Sequence, residues 1–85
     1  MSSHEIAHKG LSEIATYERG QLTRFDLAVF IEGCGEELRL IDTAAGTRLK
    51  GMAMRLAASE FVATEPADGV LSEMKVLLSS LDGQA

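Results

Sequence analysis

The sequence predicts an all-α fold, a small four-helix bundle with helices near residues 3–19, 24–45, 48–63 and 67–81, formed as a single domain over 1–85. Three observations carry this expectation. Apolar residues recur at spacings of three and four along most of the chain, residues able to cap a helix N-terminus stand near the start of each run, and the breaks between runs are short and rich in glycine or proline. A chain of 85 residues lies near the lower end of what one hydrophobic core can hold together unaided, so its stability margin is thin unless it associates with another copy. The apolar fraction of 46% and the charged fraction of 25% are those of a folding chain.

Helix one is set by Ser2 and Glu5, a capping-box pair in which the hydroxyl accepts the backbone N–H three residues on. Ile6, Gly10, Leu11, Ile14 and Tyr17 form its stripe, and Gly20 supplies the left-handed residue that ends it. Helix two opens on a second box, Thr23 with Asp26, bracketed by Leu22 and Leu27 as a hydrophobic staple. Leu27, Ile31, Cys34, Leu38, Ile41 and Ala45 then continue in a three-four seam up to Gly46. The same stretch also has strand-like alternation at Phe25, Leu27, Val29 and Ile31, with "GCG" as a turn, so the alternative is an α+β fold with a β-hairpin at 22–42. The seam keeps its phase through Gly33 and Gly35, which favours the helix.

Helix three is expected to start at a Thr47 cap. Leu49, Met52, Ala53, Leu56 and Ala57 form one stripe, with Met54, Ala58 and Phe61 as a second edge. A helix apolar over more than half its circumference must be central or must face a partner. Gly33, Gly35, Ala44, Gly51 and Ala58 are small enough to let backbones approach, either inside the fold or across a dimer seam. After "TEPADG", where Thr64 and Asp68 are the capping candidates and Pro66 suits only a first turn, Val70, Leu71, Met74, Leu77, Leu78 and Leu81 define helix four, closed by Gly83.

Composition excludes several functions. Net charge is −5, and from Glu60 onward Glu60, Glu65, Asp68, Glu73 and Asp82 face only Lys75, which disfavours binding to a phosphate backbone. A protein with a basic or mixed surface is the expected partner, with no nucleic acid and no membrane. Cys34 is the single cysteine, so no internal disulfide can form, and a reducing cytoplasmic location is expected. "MSSHEIAHKG" lacks the basic start and apolar run of a signal peptide, and no apolar run approaches the roughly 20 residues of a membrane span.

"HEIAH", residues 4–8, resembles the zinc-binding signature of metallopeptidases, and also looks like the "HE-x-A-H" helix of small regulatory peptidases that cleave phage repressors. The resemblance implies His4 and His8 as metal ligands, Glu5 as the base that activates a metal-bound water, and a third ligand from downstream. "HEIAHKGL" has its glycine one position early for the extended metzincin form, and no third histidine exists; a third ligand could only be an acid such as Glu13, Glu18 or Asp68. The motif lies in a first helical turn, where ends fray, while catalysis needs positions held to about half an ångström.

"LTRFDLAVFIEG" resembles the second helix of a repressor-type helix-turn-helix, with Leu22, Thr23, Leu27, Phe30 and Gly33 in the usual residue classes. It departs upstream, where Gly20 falls one residue early and Tyr17 holds a small-residue position. The groove-facing residues would be Phe25, Asp26 and Val29, with Arg24 alone suited to phosphate or guanine. Cys34 lies in the apolar seam, so its thiol is expected to be protonated and inert.

Elimination leaves a non-enzymatic protein-interaction module of bacterial or phage type with no cofactor: a small acidic inhibitor or adaptor of a larger bacterial protein, expected to be a homodimer. Its expected contact surface joins Met52, Met54, Leu56 and Phe61 to an acidic rim of Glu60, Glu65 and Asp68. The alternative assigns the same methionines to the monomer core. A helix-turn-helix-like DNA-binding regulator and a zinc protein are the second and third readings.

Overall fold

The computed structural model describes residues 2–62 and 67–83, with 59–62 as backbone. Four helices follow in order: α1 (Ser3–Glu18), α2 (Arg24–Arg39), α3 (Thr43–Val62) and α4 (Ala67–Asp82). No strand occurs among the described residues, so the 24–39 segment is helical and the hairpin alternative is not supported.

Two starts follow their capping signals. The Ser2 hydroxyl accepts the Glu5 N–H at 3.2 Å, and the Thr23 hydroxyl accepts that of Asp26 at 3.1 Å. Gly20, at φ +78°, ends the first helix in the left-handed region, where glycine carries no Cβ penalty.

The boundary between helices two and three differs from the expected one. The seam of Leu27, Ile31, Cys34 and Leu38 is buried, but α2 ends at Arg39 and Ile41 is exposed. Backbone N–H groups of Ile41 and Asp42 both donate to the Leu38 carbonyl, at 2.9 and 2.7 Å, which closes the helix. The Asp42 carboxylate then accepts the Ala45 N–H at 3.1 Å and so caps α3, which starts at Thr43 rather than near 48. Ala45 is buried as the seam required, but from the next helix. Thr47 is an exposed position within α3 rather than its cap.

Gly46 has a packing role rather than a stop role. A Cβ built there would lie 2.5 Å from the Arg39 nitrogen and 2.7 Å from the Gly35 carbonyl oxygen, and one on Gly35 would meet the side chain and backbone of Lys50. These two glycines let α2 and α3 touch backbone to backbone.

Each helix packs on two neighbours, in the ring α1, α2, α3, α4 and back to α1, while the diagonal pairs do not meet among the described residues. Neighbours run antiparallel: Glu18 pairs with Lys75 and His4 with Asp82 across α1 and α4, and Arg24 reaches Leu56 while Arg39 lies against Gly46 across α2 and α3. The centre is filled by Ile6, Ile14, Leu27, Ile31, Leu38, Leu49, Leu56, Met74 and Leu78, each worth roughly 1.5–3 kcal/mol of transfer free energy when fully buried. The Cα radius of gyration, 11.8 Å, matches the roughly 12 Å of a compact domain of this length.

Candidate functional site

The expected contact surface is not gathered on one face. Leu56 is 0% exposed and Met52 6% exposed, so both belong to the core, as the alternative assignment held for Met52. The reason is helical phase: Leu49, Met52, Ala53 and Leu56 share the inward stripe of α3, whereas Met54 lies on the opposite side and is 64% exposed. Asp68 is exposed at the first turn of α4. The side chains of Glu60 and Phe61, and all of Glu65, lie outside the described residues.

The exposed large apolar side chains lie mostly elsewhere. Phe25, Val29, Leu40, Ile41 and Met54 all belong to the α2–α3 hairpin, and Val76 of α4 is the other among the described residues. Phe25 and Val29 are one turn apart on the outer side of α2, opposite the buried Leu27, Ile31 and Leu38. On α3, Thr47, Gly51 and Met54 line a shallow groove with Arg39 of α2 and Lys50. The α2 half is hard to read in the sequence because the alternation of Phe25, Leu27, Val29 and Ile31 fits a strand as well as the outer and inner stripes of one helix.

The two helices differ in charge. Asp26, Glu32 and Glu36 are exposed on α2, while α3 carries Arg48, Lys50 and Arg55 and no acidic residue from Thr43 to Ser59. Within the chain Lys50 donates to Glu36, and Arg55 makes a two-pronged pair with Glu73 at 3.1 and 2.8 Å. The Lys50 hydrogen bond holds the Glu36 carboxyl below its ordinary value, and the Arg55 hydrogen bond does the same for Glu73.

Among the described residues the zinc motif gathers no third ligand. His4 Nδ1 lies 2.9 Å from Asp82 Oδ1 and 3.0 Å from the Asp82 carbonyl oxygen, so this ring nitrogen is occupied in tying α1 to the end of α4. Glu18 pairs with Lys75 at 2.7 Å. No group of three His, Cys, Asp or Glu side chains able to hold a metal is present among the described residues.

The repressor-type features are also used differently. α1 and α2 form an antiparallel hairpin of bundle neighbours, and the Arg24 Nε donates to the Leu56 carbonyl at 2.9 Å, so the one cation suited to DNA contact is engaged with α3. The remaining outer residues at that end, Phe25, Asp26 and Val29, offer a phosphate no positive charge.

Cys34 is 3% exposed, and burial raises its thiol to about 11, with Lys9 opposing and Glu37 and Glu13 adding to the effect. A thiol held protonated is a poor nucleophile. No helix among the described residues is long and apolar enough to cross a membrane. Comparison with protein-family models, with curated proteins and with solved structures returns no match to this chain.

Proposed function

We propose that this chain is a non-enzymatic protein-interaction module, a small acidic regulator that acts in the cytoplasm by binding a larger bacterial protein as inhibitor or adaptor, encoded by a bacterium or a phage. The observation that carries the reading is the concentration of exposed apolar side chains on the α2–α3 hairpin, where Phe25, Val29, Leu40 and Met54 remain in solvent although the same helices fill the core with their other faces. Soluble monomers rarely leave such residues grouped without use. The net charge of −5 supports a partner of basic or mixed surface, since complementary charge speeds encounter and rejects wrong partners. Homodimerisation belongs to the same reading. Neither the DNA-binding nor the zinc reading has an observation in its favour of comparable weight.

The test is affinity capture with the full-length chain as bait in an extract of the source cell, followed by titration of the purified partner. One protein bound at a fixed stoichiometry, with affinity reduced by added salt, is the expected result. A bait that retains no protein above a scrambled-helix control, but shifts duplex DNA at low salt, would overturn it.

A further inference from the structure

We infer that the outer face of the α2–α3 hairpin is a self-complementary interface for a second copy of this chain, with α2 of each copy lying on α3 of the other. The inference rests on the interaction-module reading and specifies its first partner.

Four observations meet on this face. The first is apolar: Phe25, Val29 and Leu40 on α2 and Met54 on α3 are exposed. The second is a pair of glycines that, like Gly69 at the start of α4, meet no neighbour in the fold. Gly33 and Gly51 sit inside helices, where glycine is unfavourable relative to alanine, and a Cβ on either would meet nothing within 4 Å. Gly35 and Gly46, by contrast, are explained by the α2–α3 contact itself. An outward glycine on each of two adjacent helices makes room for another backbone.

The third is size matching. The contacts of Gly35 with Gly46 and Lys50, and of Arg24 with Leu56, fix the register of the two helices. Phe25 then lies level with Ala58, Val29 with Met54, Gly33 with Gly51, and Leu40 with Ala44, all of them exposed. A two-fold axis parallel to the helices keeps these levels, so the large residues at both ends of the α2 stripe meet alanines of the opposing α3, and the glycines meet at the middle.

The fourth is charge. Asp26 and Glu32 of α2 would lie over α3, which carries no acidic residue from Thr43 to Ser59 and whose Lys50 and Arg55 are paired within the chain to Glu36 and Glu73, whereas stacking α2 on α2 would oppose the Asp26 and Glu32 of both copies.

Sedimentation equilibrium on the full-length protein tests the inference. The expected result is a dimer that dissociates more readily in high salt, with Met54→Glu raising the dissociation constant about thirtyfold or more and Val76→Glu, on α4 away from this face, leaving it unchanged. Gly51→Ala separates the roles of the glycine: it should weaken the dimer while raising the melting temperature measured at concentrations where only monomer remains. A dimer equally tight in Met54→Glu and Gly51→Ala overturns this face while leaving self-association standing. A wild type monomeric at every concentration overturns the second copy as occupant, and binding of a different protein is then decided by the capture experiment.

Discussion

At the residue scale, Leu56 and Met54 show how two positions on one helix separate into core and surface. Leu56 is fully buried among Leu27, Leu49 and their neighbours, so Leu56→Ala should cost about 2–5 kcal/mol in urea unfolding, through lost transfer energy and the cavity left behind. Met54→Ala, at an exposed position, should stay within about 0.5 kcal/mol for the monomer. Equal costs at the two sites would contradict the assigned phase of α3. Cys34 is inert for a related reason. Burial raises its thiol from 9.0 to about 11, so the native protein should react with a thiol-specific disulfide reagent near neutral pH at least about a hundredfold more slowly than the urea-unfolded chain.

The element scale is decided at helix ends and close contacts. Thr23 and Ser2 were identifiable as caps because each is followed three residues later by an acid and each precedes an apolar run. Asp42 was not, because the three-four seam of α2 continues in phase to Ala45, and a period alone does not register a turn that preserves it. Asp42→Ala should therefore destabilise the protein by about 0.5–2 kcal/mol, whereas Thr47→Ala should change little, as thermal melts would show. Gly46 is the second such point. Gly46→Ala drives a methyl into the Arg39 nitrogen and the Gly35 carbonyl, backbone atoms that cannot rotate away, and should cost about 1–3 kcal/mol.

For the whole molecule, the acid side of the stability profile follows from the exposed ion pairs. Glu36 and Glu73 have folded-state values below the ordinary 4.5, held there by Lys50 and Arg55. A depressed carboxyl binds fewer protons in the native than in the unfolded state, so the stability it contributes is present above 4.5 and is lost as the pH falls through the folded value. Urea midpoints should decline on acidification below about pH 4.5, and Glu73→Gln should flatten part of that decline. Both groups are exposed, so the effect should be small and should shrink further in high salt.

What the sequence by itself determined is the class of the fold, the existence of four helices, and the identity of most of the core: the periods at Leu27, Ile31, Cys34 and Leu38, and from Val70 to Leu81, name buried residues because a three-four spacing leaves one face to hide. Only the tertiary structure decided which of two apolar edges on α3 is inward, since Met52 and Met54 are equally apolar in sequence and the choice depends on where α2 and α4 lie. It also decided what the glycines are for. Gly35 and Gly46 admit a neighbouring backbone, while Gly33 and Gly51 face outward. The four are alike in sequence, because a missing side chain acquires meaning only from what stands opposite it.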